Sequence, residues 1–438
     1  MLIQGWGRYP SKLADYSEPA GLEELCKQIA ALESPTIVRG SGRSYGDSAL
    51  ADSVISSRYL DNFISFDEKS GILNCAAGLT IDQILTVIVP KGWFLPVVPG
   101  TKFVSIGGAI ASDIHGKNHH CDGCFSEHLK SFKLLTAQGE VISCSKTRNK
   151  KYFYATCGGM GLTGIVVEAS LQLRKLTSFQ ISQRCITTTN LEESLEQLES
   201  HQDNLYSVAW LDCMAKGEQT GRSVVFLGNH IETANDKPSN LIAESKHLKL
   251  NIPFNSPAFM LNRVSIGLFN SAYYKLKGKE SHKNIDYDSY FFPLDRINNW
   301  NRLYGSQGFL QYQFVIPTNM AKIGIGEVMN QVTASGQGSF LSVLKKFGVA
   351  NKNYLSFPME GYTLALDFKF KKSLLPLLNQ LDEIILHYGG RLYLAKDARM
   401  SEHTFKKGYA HWDKFLSIKN ELDPDGIFSS LQSKRLGL

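Results

Sequence analysis

A β-branched run, Thr36-Ile37-Val38, leads directly into Arg39-Gly40-Ser41-Gly42-Arg43-Ser44-Tyr45-Gly46-Asp47, and this junction restricts the fold more than any other stretch of the chain. A strand that empties into closely spaced glycines makes a turn where φ > 0 costs little and consecutive N–H groups can converge on one anion. The spacing of Gly40, Gly42 and Gly46 is not the Rossmann fingerprint, which needs G-x-G-x-x-G with a helix directly behind it. Gly116-Lys117 does not complete a P-loop, because Asn118 follows the lysine and Ala111 stands where the first glycine belongs. The stretch reads as a phosphate cradle of another design, with diphosphate as a natural occupant. Taken alone, it could equally be a tight surface turn.

Two further glycine clusters agree with the cradle. A strand-like Phe94-Leu95-Pro96-Val97-Val98 precedes Pro99-Gly100-Thr101, and Gly107-Gly108 begins a run of small residues that passes Ser112 and reaches His115-Gly116-Lys117-Asn118. A third turn, Gly158-Gly159-Met160-Gly161-Leu162-Thr163-Gly164, ends in the apolar Ile165-Val166. Three glycine turns alternating with apolar strands resemble the FAD-binding domain of the vanillyl-alcohol oxidase superfamily, the PCMH-type flavin fold. Within it, the order of motifs is similar to that of the decaprenylphosphoryl-β-D-ribose 2′-oxidases, flavoenzymes that begin epimerisation of lipid-linked ribose to arabinose. The similarity starts at Gly5-Trp6-Gly7-Arg8 and runs on through Ala209-Trp210, Trp300-Asn301-Arg302 and residues 308–317. It ends with Gly389-Gly390-Arg391-Leu392-Tyr393, Ala395-Lys396-Asp397 and Asp423-Pro424.

The resemblance implies an α+β fold of two domains. Residues 1–178 and 391–438 would form a discontinuous flavin domain, and 179–390 a substrate domain built on an antiparallel sheet. The periodicity fits that division. Residues 21–32 and 81–88 read as helices, 36–38, 72–76 and 164–173 as strands, and 131–135 with 140–143 as a hairpin. Further on, 206–211, 223–227 and 311–316 read as strands and 374–388 as a helix. The charged segment 275–288 reads as an exposed loop, either a plain linker or a flap over the substrate mouth.

The resemblance also implies noncovalent FAD, since Arg43 and Ser44 occupy the region where related oxidases carry a flavin-linked histidine. Its contacts would come from Arg39, Gly40, Ser41, Gly42, Arg43, Ser44 and Tyr45 in the first turn. The second region would add Gly100, Thr101, Gly107, Gly108, Ser112, His115, Gly116 and Asn118, and the rest would be Gly161, Ile165, Tyr393 and Lys396. Oxidising a carbinol needs its C–H held beside the flavin and a group that takes the hydroxyl proton. Lys396 in Tyr-x-Ala-Lys-Asp is the first candidate for that chemistry, joined by Tyr45 and His115. Substrate contacts would come from Trp210, Gln311, Gln313, Lys345, Ala365 and Tyr393. Gln311 and Gln313 share a strand face, a placement suited to sugar hydroxyls. Lys345 suits a phosphate. Ala365 stands where mycobacterial ribose oxidases place a cysteine, so thiol-directed inhibitors should find no target there. His115, His119, His120, Cys121 and Cys124 imitate metal-ligand spacing, but the family motif assigns His115 and Asn118 to the flavin, and no metal is expected.

The implied reaction is hydride transfer from C2′ of polyprenylphosphoryl-β-D-ribose, giving the 2′-keto product. An NAD(P)H-dependent reductase would be the partner, and oxygen or a quinone the electron acceptor. The rivals are an aldonolactone or alditol oxidase for a soluble sugar, and a noncatalytic flavin-binding subunit. Bulk properties exclude other classes. A net charge of +6 over 438 residues, with basic residues dispersed, makes no nucleic-acid footprint. No apolar stretch approaches the roughly 20 residues of a membrane span, and the N-terminus carries no recognisable signal peptide. Eight irregularly spaced cysteines read as reduced thiols. A cytoplasmic protein is the expectation, with peripheral contact with a membrane left open.

Overall fold

A computed structural model describes residues 1–32, 34–232, 250–257, 260–277, 281–339 and 341–438. The β-branched run forms strand Thr36–Arg39, parallel to Ser53–Ser56, and Asp15–Ser17 completes a three-stranded sheet. Helix Leu22–Ala30 covers it, its buried Leu25 and Ile29 clustering with Ile55 and Phe428. A five-stranded antiparallel sheet follows, in the order Val141–Ser145, Leu129–Leu135, Ile165–Gln172, Ile72–Ala76, Phe63–Asp67. Helix Ile81–Ile88 starts with a capping box between Thr80 and Gln83 and buries Ile81, Ile84, Leu85 and Ile88.

The second half of the chain is an eight-stranded sheet in which every neighbouring pair is antiparallel. Period-2 alternation gives it two unlike faces. On strand Phe309–Pro317, Tyr312, Phe314 and Ile316 turn away from Gln311 and Gln313, and the Tyr312 hydroxyl donates to Asp382 of helix Leu375–His387 at 2.9 Å. Helices Thr318–Ser335, Leu375–His387 and Leu191–Ser200 pack on the sheet. On the other face, directly opposed residues form a row across four strands: Gln313 faces Ala365, Ala365 faces Val343, and Val343 faces Trp210. Residues distant in sequence thus share one surface.

The chain leaves this sheet at Arg391–Leu392, paired with Phe314 and Val315, and meets the first glycine turn within a few residues. There the Tyr45 N–H donates to the Ala395 carbonyl at 3.0 Å. A Cβ on Gly46 would fall 1.8 Å from the Asp397 carbonyl oxygen, so only glycine permits this approach. The C-terminal stretch adds a bridge between Phe428 and Thr36.

Two readings from periodicity need correction. Segment 275–288 is not a loop throughout: helix Arg263–Lys277 occupies its start, and Ser281–Asp286 is a strand paired with Gln180–Cys185. Residues 278–280 lie outside the described residues. Edge strands tolerate charges such as Lys283, and this made the composition look loop-like. Strand 94–98 shortens to Trp93–Phe94, because Pro96 has no N–H to give a ladder. Among the described residues, no helix is long and apolar enough to cross a membrane. All eight cysteines are free.

Candidate functional site

The glycine turns and the polar face of the eight-stranded sheet enclose a cavity of about 1690 Å³. That exceeds the roughly 300–1,000 Å³ typical of a drug-sized ligand and leaves room for a dinucleotide with a second molecule beside it. Gly40, Ser41, Gly42, Arg43, Ser44, Tyr45, Gly100, Thr101, Gly107, Gly108, Ser112, His115, Gly116, Gly161 and Ile165 all line it. So do Trp210, Gln311, Gln313, Lys345, Ala365, Tyr393 and Lys396. Two expected contacts stand behind the wall instead. Arg39 donates to the Gln4 carbonyl at 2.8 Å, and its guanidinium fills the space beneath Gly42, where a Cβ would lie 2.2 Å from it. Asn118 is buried and donates to the Pro96 carbonyl at 2.8 Å and to Asp122. Both shape the turns without facing the cavity.

The first turn fits a diphosphate. Gly42 has φ 63°, and a Cβ on Gly40 would lie 2.1 Å from Ser105 Oγ, the oxygen that caps helix Ile106–Ala111. Among the described residues, the N–H groups of Ser41, Gly42, Arg43 and Ser44 enter no backbone hydrogen bond. Unspent amides around a space closed to side chains are what an anion-binding turn requires. These residues, with Gly107, Gly108 and Gly161, would hold FAD.

The cavity carries three half-buried lysines. Lys396 comes in on the segment after Arg391–Leu392, its Nζ 3.8 Å from the centre of the Tyr45 ring. Burial pulls its pKa down to about 7, partly offset by the negative charge of Asp367 and reinforced by Lys345. Lys345 Nζ lies 3.3 Å from His115 Nδ1, and burial brings its pKa to about 8. Burial, and then the Lys345 charge, holds His115 well below its ordinary value, so the ring is neutral at pH 7. Gln313 Nε2, an amide donor, lies 3.2 Å from His115 Nε2, so this ring nitrogen is the acceptor. The third lysine, Lys117, donates to the Tyr290 carbonyl, sits 4.2 Å over the Tyr290 ring, and is brought by burial to about 7. Burial and the Asp367 charge raise Tyr45 well above its ordinary value, which keeps its hydroxyl protonated.

Sequence reasoning singled out neither Lys117 nor Asp367. The glycines around Lys117 draw attention to the backbone, and nothing in the sequence points its side chain inward. Asp367 accepts from Gln311 Nε2 at 2.6 Å and from the Tyr304 hydroxyl at 3.2 Å, and burial raises its pKa to about 7. Its position two residues after Ala365 places it on the face of Gln311, a signal that alternation contains. Tyr393 spends its hydroxyl on the Ser112 carbonyl at 3.0 Å and stacks on Phe357, 4.6 Å between ring centres. Trp210 packs on Tyr273 at 4.6 Å. The histidine and cysteine run disperses. His119 lies against Cys124, His120 against the Asn204 carbonyl, and Cys121 is exposed. Among the described residues, no group of three or more His, Cys, Asp or Glu side chains could hold a metal ion.

Comparison with known proteins agrees with this geometry. Residues 13–145 match the FAD binding domain family, and residues 365–436 the D-arabinono-1,4-lactone oxidase family. The chain is 35% identical to decaprenylphosphoryl-β-D-ribose oxidase of Mycolicibacterium smegmatis over 449 residues, covering 100% of this chain and 97% of that one. It is 23% identical to L-gulonolactone oxidase of Bos taurus over 97% of this chain and 96% of the relative. To D-arabinono-1,4-lactone oxidase of Yarrowia lipolytica it is 26% identical over 44% of this chain and 38% of the relative. An FAD-binding match on the glycine turns and a full-length relative above 30% identity make one statement: the chain belongs to the family of decaprenylphosphoryl-β-D-ribose oxidase and is an FAD-dependent oxidoreductase.

Proposed function

We propose that this enzyme oxidises a secondary sugar alcohol, and that the alcohol is C2′ of a polyprenylphosphoryl-β-D-ribose. The carrying observation is Lys396, an amine on the cavity wall with its Nζ 3.8 Å from the centre of the Tyr45 ring, whose pKa desolvation pulls down to about 7. At neutral pH a substantial fraction is unprotonated, and a neutral amine beside a bound hydroxyl can take its proton. When bound, FAD supplies the hydride acceptor. Lys396 Nζ receives the hydroxyl proton, while His115, Gln311 and Gln313 orient the sugar from the sheet face. Residues 1–178 with 391–438 would carry the cofactor, and 179–390 the sugar. The identity to decaprenylphosphoryl-β-D-ribose oxidase supports the lipid-linked substrate.

Helix Arg263–Lys277 supports contact with a lipid surface. Its Ile266, Phe269 and Tyr273 line the cavity, while Val264, Leu268 and Leu276 are exposed at 70%, 68% and 81%. A mouth of this kind lets a membrane-held substrate reach the site without leaving the bilayer. The 2′-keto product would pass to a reductase partner that completes the epimerisation. The match of residues 365–436 to D-arabinono-1,4-lactone oxidase favours a second reading, a soluble aldonolactone as substrate.

Anaerobic absorbance separates the two readings. A short-chain prenylphosphoryl ribose is expected to bleach the oxidised flavin band of the purified holoenzyme. Bleaching by a soluble lactone or alditol but not by the ribose lipid would overturn the proposed substrate and leave the family assignment intact.

A further inference from the structure

Arg43 is a cavity residue whose side chain the reaction above leaves unused. Its guanidinium carbon lies over two rings, 4.3 Å from the centre of Trp6 and 5.4 Å from that of Phe103. Its Nε is buried without a hydrogen-bond partner. Asp295 shares the wall, but its Oδ2 accepts the Lys102 N–H at 2.8 Å and it makes no hydrogen bond to Arg43 among the described residues. A guanidinium held over aromatic rings keeps N–H donors suited to a tetrahedral oxyanion.

We infer that Arg43 is the phosphate-binding residue for a prenyl-phosphate ligand, and that the wall of Trp6, Leu261, Leu294, Trp300 and Leu303 receives the first isoprene units. This rests on the lipid-linked reading above and assigns that ligand its anion site. The flavin diphosphate has the backbone amides of the first turn, whereas the Arg43 side chain leaves that turn for Trp6. Trp6 meets Trp300 edge-on at 5.7 Å, in a cluster with Tyr304, Phe309, Leu261 and Leu294. A cation beside an apolar wall matches a ligand whose charged head continues into hydrocarbon. Lys345, the other candidate for the phosphate, already faces His115 in the interior, where Gln313 marks the sugar end.

The test is titration of the holoenzyme with geranyl phosphate, followed by tryptophan quenching and by perturbation of the flavin absorbance. Geraniol serves as the uncharged control. Arg43→Gln is expected to raise the dissociation constant for geranyl phosphate roughly 10- to 100-fold, the worth of a charged hydrogen bond pair, with geraniol and flavin content unchanged. Arg43→Lys should recover part of the loss, and it carries the comparison if the glutamine variant does not fold. An unchanged dissociation constant in both variants, failure of the wild type to bind geranyl phosphate, or loss of flavin on substitution would each overturn the inference; loss of flavin would return the arginine to the cofactor. If prenylphosphoryl ribose leaves the flavin oxidised while geranyl phosphate binding still depends on Arg43, the sugar assignment fails and the phosphate site stands.

Discussion

Lys396→Ala is expected to retain bound flavin and to have that flavin reduced by substrate roughly 10²- to 10⁴-fold more slowly than the wild type, the usual contribution of a positioned general base. The reason is local. The alanine removes the Nζ that would receive the hydroxyl proton, while Tyr45 is held protonated and Lys117 and Lys345 are engaged with the Tyr290 carbonyl and His115. The wild-type rate should also rise with pH through about 7, because the amine accepts a proton only after losing its own. Asp367→Asn tests the electrostatics. Its carboxylate raises the Lys396 pKa, so removing that charge favours the neutral amine and moves the rising limb to lower pH. A limb that stays in place or moves up, measured by stopped-flow flavin reduction under anaerobic conditions, would show that the amine does not set the profile.

Arg435→Met should lower unfolding stability by about 3–5 kcal/mol, read from urea transitions, because it strands two buried carboxylates. Arg435 donates from Nη2 to Asp47 Oδ1 at 2.8 Å and to Asp397 Oδ2 at 2.8 Å, with Nε 3.2 Å from Asp47 Oδ2. Asp47 ends the first glycine turn and Asp397 follows Lys396, so one side chain ties the cofactor turn to the candidate base. The side chains of Asp47 and Asp397 are 5% and 3% exposed, and water cannot replace the lost partner. Substitution at the exposed pair of Lys27 and Glu23, 2.7 Å apart on helix Leu22–Ala30, gives the contrast, with an expected change of about 0.3–0.5 kcal/mol. Similar losses at both sites would mean that Arg435 holds nothing in place.

Local chemistry wrote much of the fold into the sequence. Thr36-Ile37-Val38 could only lead extended backbone into a glycine turn, and helices 22–30 and 81–88 follow from apolar residues at helical spacing. Alternation in Phe309–Pro317 put Gln311 and Gln313 on one face before any partner strand was known. Where composition and neighbours disagreed, the neighbours won: Lys283 looks like a loop residue and lies in an edge strand because the Gln180–Thr188 ladder was there to receive it.

By itself, then, the sequence determined the glycine turns and the strand periodicities, which depend on residues within one short segment, and the family, which depends on the order of motifs along the chain. Tertiary structure alone decided the electrochemical state of the site. Lys117, Lys345 and Lys396 come from segments far apart, and their lowered pKa values exist only because folding partly desolvates all three around one cavity. Arg39 and Asn118 fall behind the wall, and Arg43 onto Trp6, for the same reason. Desolvation and charge proximity belong to the assembled cavity, and no stretch of chain encodes them before the sheet and the turns meet.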